Sequence, residues 1–82
     1  LLAISTSGNS PNVIKAIEAA KLIGMTVVGY TGKGGGKMKD MCDYMLCVPS
    51  QHTPHIQEMH EACMHLCCEL IDFYLFTCPE DI

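Results

Sequence analysis

Arginine and tryptophan are missing from these 82 residues, and aromatic residues amount to only 6%. The five lysines are dispersed along an acidic chain of net charge −4. Without a basic face or guanidinium forks, gripping nucleic-acid phosphates is excluded as the main task. No apolar run approaches the roughly 18 residues that a membrane span requires, and no secretory signal is recognisable. A C-x-x-C pair is missing too, which argues against a thiolate zinc or redox motif. The six cysteines lie in apolar patterns, apart from Cys78 in the tail. They read as free thiols of a reducing cytosol, packed as small hydrophobes. The sharper alternative is a zinc cluster around Cys63, Cys67 and His60.

What is present alternates between strand and helix. The apolar run Leu1 to Ile4 reads as a buried strand, and Asn12 to Ile23 as a helix with Val13, Ile14, Ile17, Ala20 and Lys21 at helical spacing. Gly24 fits the position just past a helix end. Met25 to Tyr30 is a β-branched run of the kind that suits a parallel sheet covered on both faces. A short helix is expected over Lys37 to Met41, and a third strand around Tyr44 to Val48, closed by Pro49. Strands separated by helices predict right-handed βαβ units, hence an α/β fold with a parallel sheet. Thr53 and Pro54 are suited to start a long helix, from His55 to about Phe76. Ile56, Met59, Cys63, Leu66, Leu70 and Phe73 form an a/d seam along it. That seam predicts a helix–helix interface between subunits, the alternative being packing on the sheet. Pro79 to Ile82 reads as a frayed acidic tail. One domain is the limit at this length. Because the chain has no initiator Met and begins within a strand, it is expected to be part of a larger protein.

Between the first strand and first helix lies Ser5-Thr6-Ser7-Gly8-Asn9-Ser10-Pro11. A helix N-terminus offers backbone N–H groups without intrahelical partners, and its dipole adds partial positive charge. Together these make an anion seat. Ser5, Thr6, Ser7 and Ser10 add hydroxyl donors, and Gly8 permits a tight turn. The competing expectation is that Ser10 is simply a helix cap and its neighbours turn formers. The glycine-rich Thr31 to Gly36 matches neither a P-loop nor a dinucleotide fingerprint. It reads as a flexible turn with at most a rim role, followed by solvated lysines. On the long helix, Gln57, Glu61 and His65 share a polar stripe, where a lone histidine is more often structural than functional.

The serine turn, followed by Ile14-Lys15-Ala16-Ile17-Glu18-Ala19-Ala20, resembles the second half of a sugar isomerase (SIS) domain, and most of all that of the phosphoheptose isomerases. Thr31-Gly32-Lys33-x-Gly35-Gly36-Lys37-Met38 is similar to their second loop. Val48-Pro49 and Ile56-Gln57-Glu58-x-His60, with His65 five further on, are similar to the start of their last helix. The resemblance implies a three-layer α/β/α fold, usually in a homotetramer; the free cysteines set the expected location as cytoplasmic. It implies that Ser5, Thr6, Ser7 and Ser10 hold the phosphate of a phosphorylated sugar such as sedoheptulose 7-phosphate. It also implies that Gln57 and His65 approach the sugar and can ligate zinc, with His65 an acid/base in aldose–ketose isomerisation. Isomerisation moves a proton between adjacent carbons and needs an acid, a base and stabilisation of charge on oxygen. In the family the carboxylate base and further metal ligands come from the domain's first half. Glu58 and Glu61 are not their equivalents, so these 82 residues alone are expected to be inactive. His55 stands where the family usually has Arg. The other implied possibility is a non-catalytic phosphosugar sensor or a module that binds a replication initiator. A third possibility is that the stretch serves only as an assembly unit through its long helix.

Overall fold

The computed structural model describes residues 1–77. Three parallel strands, β1 (Leu2–Ile4), β2 (Val28–Thr31) and β3 (Tyr44–Cys47), form one sheet in the order β1-β2-β3. Helix α1 (Pro11–Leu22) connects β1 to β2, and a short 3-10 helix (Gly36–Asp40) lies between β2 and β3. Helix α2 (Thr53–Asp72) follows β3 and runs on into a π-helical turn, Phe73–Thr77. The expected tail, 79–82, lies outside the described residues, as does Cys78.

The register is continuous: Leu2, Ala3 and Ile4 face Val28, Gly29 and Tyr30, which in turn face Tyr44, Met45 and Leu46. Side chains alternate across such a sheet. Ala3 and Met45 pack with Ile17 and Ala20 of α1, with Val27 and with Met38 of the 3-10 helix. Gly29 completes this face, because a Cβ there would press on Met45, Cys42 and Met38. Val28, Tyr30, Tyr44 and Leu46 face the other way and border a groove shared with α2. The sheet is therefore sandwiched between α1 and α2, the three-layer arrangement expected. Along α1, Ile17 and Ala20 are buried and Val13 and Ile14 half-buried, while Lys21 stays out and meets Asp43 at 4.0 Å.

Two element starts differ from expectation by more than one residue. Residues 25–27 do not join β2, because Asp43 Oδ2 accepts the Val27 N–H at 2.7 Å, where a strand neighbour would otherwise be needed. Helix α2 begins two residues early, with His52 rather than Thr53 at the cap position and no side-chain cap bond. The seam also behaves unevenly. Ile56 is buried, but Met59, Leu66 and Leu70 are about half exposed, at 50%, 57% and 47%. Full burial against the sheet is confined to the first two turns of α2, beyond which Cys63 is half-buried and Cys67 meets Tyr30, so the seam as a whole is not an internal core stripe.

Candidate functional site

In a parallel sheet every βα loop leaves the same edge, so the turns after β1, β2 and β3 meet there. They are bonded into one unit. Gly32 N–H donates to Thr6 O at 2.9 Å, Lys33 N–H to Ser50 O at 3.0 Å and Met38 N–H to Gly8 O at 3.1 Å. Lys37 N–H donates to Asn9 Oδ1 at 2.8 Å. Gly8 has φ +72°, and a Cβ on it would land on the Gly35 carbonyl. The glycine-rich stretch is thus no loose turn. A Cβ on Gly32 or Gly36 would likewise meet the backbone of the first turn, at Thr6 O and Ser7 O, so these glycines let the two loops interlock.

Within the first turn the four hydroxyls divide into two kinds. Ser5 is buried; its Oγ accepts the Gly8 N–H at 3.1 Å and lies 2.6 Å from Ser10 Oγ and 3.4 Å from Ser7 Oγ. Ser10 occupies the cap position of α1 but makes no side-chain cap bond, having turned to Ser5 instead. The helix start therefore keeps its donors, which the capping alternative would have consumed. Because Ser5 Oγ already accepts from Gly8, its own proton can go to Ser10, which frees the Ser10 proton for another acceptor. Thr6 and Ser7 look outward. They line an open cavity of about 190 Å³ together with Lys33, Ser50, Gln51, Thr53 and Ile56. Its wall carries four hydroxyls, an amide and one ammonium, and no carboxylate. Such a donor-rich, cationic lining suits an anion of phosphate size.

Sequence reasoning reached Thr6 and Ser7 but not Lys33, Ser50, Gln51 or Thr53. Ser50-Gln51 follow Pro49 at the end of β3. Once the sheet is recognised as parallel, that position alone assigns them to the same edge. Lys33 reads as a solvated lysine in sequence, and the bond from its own N–H to Ser50 O is what carries it to the cavity.

Gln57 and His65 are both exposed on α2, one turn and three turns from the helix start. Gln57 borders a second cleft of about 350 Å³ with Ile4, His60, Glu61 and Met64. His65 lines neither. His60, between them, is buried, and its Nε2 lies 2.9 Å from Thr31 O. Among the described residues no group of three or more His, Cys, Asp or Glu side chains could hold a metal ion. Among the described residues the cysteines do not assemble a zinc site: Cys42 and Cys63 are half-buried free thiols and Cys47, Cys67 and Cys68 exposed ones. Burial pushes the Cys42 thiol up from its ordinary value. Tyr30, whose Oη is 3.5 Å from Cys67 Sγ, is pushed up to about 12, first by that hydrogen bond and then by burial. Among the described residues no helix is long and apolar enough to cross a membrane.

Strand, serine turn, helix and second strand together coincide with a match to the SIS domain family over residues 1–32. The chain is of the SIS class, and its relatives place it more closely. It is 58% identical over 72 residues to the phosphoheptose isomerase of Rhodospirillum rubrum, covering 88% of this chain and 38% of that protein. It is 54% identical over 76 residues to the phosphoheptose isomerase of Desulfovibrio desulfuricans, covering 93% and 36%. The solved structure of phosphoheptose isomerase GmhA from Neisseria gonorrhoeae superposes with a TM-score of 0.85 at 47% identity, covering 88% of this chain and 41% of that one. This SIS-domain chain is phosphoheptose isomerase-like, and it spans about two-fifths of the length of these relatives.

Proposed function

We propose that this chain forms the phosphate-gripping edge and part of the sugar end of an aldose–ketose isomerase acting on a phosphorylated heptose. The observation that supports it most is the cavity of Thr6, Ser7, Lys33, Ser50 and Thr53, built on a turn whose backing serines are tied to each other rather than to the helix. Thr6 and Ser7 would donate to the phosphate oxygens, Ser10 and the first amides of α1 would add positive potential, and Lys33 would balance the dianion. Gln57 would bind sugar oxygens from the neighbouring cleft. His65 would move a proton to or from a sugar oxygen as the enediol forms. The proton on carbon would be taken by a carboxylate contributed from outside these residues.

Zinc belongs to the same proposal. Gln57 and His65 are eight residues apart, about 12 Å along the helix axis at 1.5 Å per residue. Of the residues of this chain, Gln57 and His65 would hold the ion. Zinc usually takes four ligands, so this chain would supply two and the rest would come from elsewhere. When bound, the ion would polarise the sugar oxygens. We also propose a homo-oligomer, assembled through the exposed apolar length of α2, and a cytoplasmic location.

Titration calorimetry tests the binding half. Sedoheptulose 7-phosphate should bind while sedoheptulose without phosphate should not. Equal behaviour of the two sugars would refute the phosphate role. In a protein that joins these residues to the carboxylate base, NMR should show the aldose appearing, and His65→Ala should slow it roughly 100-fold or more. A near-normal rate would end the assignment of His65. The phosphate cavity has no carboxylate or imidazole on its wall, and that feature favours a second reading, a non-catalytic phosphosugar sensor or initiator-binding module. Tight binding with no turnover would select it.

A further inference from the structure

Helix α2, the carrier of Gln57, must be fixed relative to the serine turn for the two to serve one ligand. Among the described residues of α2 only Ile56 and His60 are buried, each at 2% exposure. Ile56 is an apolar contact. His60 is polar, and it reaches a single point: Nε2 donates to the carbonyl of Thr31 at 2.9 Å. A carbonyl cannot donate, so the proton is on Nε2. The same oxygen accepts the Val48 N–H at 3.0 Å. The other half of that peptide unit is the Gly32 N–H, which donates to Thr6 O at 2.9 Å. One peptide plane, Thr31–Gly32, therefore joins the phosphate turn, the end of β3 and α2. Amide hydrogen bonds on the two sides of one peptide polarise each other.

The other ring nitrogen of His60, Nδ1, is buried without a hydrogen-bond partner among the described residues. An unsatisfied buried acceptor is destabilising, and an apolar side chain of similar shape would pack without that cost. Tyr30 stacks obliquely on the ring, with centroids 5.4 Å apart at 43°, and limits its rotation. His60 thus costs stability through one nitrogen while orienting the helix through the other.

We propose that His60 is a positioning residue, which sets Gln57 against the phosphate turn through the Thr31–Gly32 peptide. Gln57 is one helical turn before it and shares a cleft wall with it. The expected consequence for sugar binding rests on the proposed function. The consequence for geometry does not.

The test uses the whole chain with His60→Leu and His60→Gln, since Gln can keep an N–H donor near the position of Nε2. Resonances of Gly32, Val48 and the Gln57 side-chain amide are followed by NMR, and binding of inorganic phosphate and of sedoheptulose 7-phosphate by calorimetry. His60→Leu should shift all three sets of resonances and weaken the sugar phosphate about tenfold, leaving inorganic phosphate within about twofold. His60→Gln should restore both. Unmoved Gln57 and Gly32 signals in His60→Leu would overturn the proposal. So would equal losses for both ligands, or failure of His60→Gln to recover what His60→Leu loses. If His60→Leu does not fold, a His60→Gln chain with displaced Gln57 signals would refute it as well. If the parent chain binds no phosphosugar, the functional reading fails, and the resonances alone still decide the role of His60.

Discussion

Ser5 and Ser7 are two residues apart and do opposite things. Ser5 is buried and holds the turn from within, through Gly8, Ser10 and Ser7. Ser7 is exposed on the cavity wall, its oxygen accepting only the nearby Asn9 N–H at 3.1 Å apart from the long Ser5 contact. Ser7→Ala should therefore weaken phosphosugar binding by about 1 kcal/mol with little change in stability. Ser5→Ala should lower stability by about 1 kcal/mol, because it removes the hydroxyl that ties Ser7 and Ser10 to the turn, while the Gly8 N–H keeps its bond to the Ser5 carbonyl. Calorimetric titration and urea midpoints separate the two effects. Tyr30 supplies a pH signature. Its hydroxyl is pushed from 10.0 to about 12 in the folded chain, mainly by the bond to Cys67. Between those values the unfolded chain loses this proton first, so the folded state binds more protons and stability falls as pH rises. The contribution is complete below pH 10 and gone once pH passes 12. Urea midpoints of the native chain should decline across this window more steeply than those of Tyr30→Phe, and parallel declines would contradict the assignment.

At the scale of elements, the two loops behave as one. Gly8→Ala would force a Cβ onto the Gly35 carbonyl and place an L-residue at positive φ. The left-handed conformation alone costs about 1–2 kcal/mol, and the steric overlap adds to it. The variant should unfold at clearly lower urea and lose phosphosugar binding at the same time; normal stability would mean that the loops are not interlocked. These elements also show what the sequence could reveal. Strand and helix identities were legible, because continuous apolar runs and helical spacing each need only local residues. The serine turn was legible for the same reason. The interlock was not, since it depends on Gly8 meeting Gly35, 27 positions away in sequence. Nor was the fate of Ser10, whose hydroxyl had two partners available, the helix amides and Ser5. The start of β2 was misplaced because the Asp43 carboxylate, far along the chain, takes the Val27 N–H.

At the scale of the whole molecule, a chain with 49% hydrophobic residues leaves much of that surface uncovered. Leu66, Leu70 and Ile71 on α2 are 57%, 47% and 54% exposed, close to a groove of about 320 Å³ that also touches Tyr44. Contiguous apolar surface of this kind marks an interaction face. Light scattering should give a mass above that of one chain, and a Leu66→Glu/Leu70→Glu pair should return it to one chain. A native chain that already scatters as a monomer would exclude self-association through α2. The seam was legible in sequence as a periodic stripe. What it packs against was not, because periodicity names a face and not its partner.

The serine that declines to cap its own helix has a thermodynamic corollary. With Ser10 engaged by Ser5, the amino end of α1 stays electropositive and its amides are left uncapped by the Ser10 side chain. An occupant arriving there satisfies groups that folding left wanting, and it does so only in the native chain. Melting temperature should therefore climb with the logarithm of added inorganic phosphate once its dissociation constant is exceeded, and chloride at equal ionic strength should leave it flat.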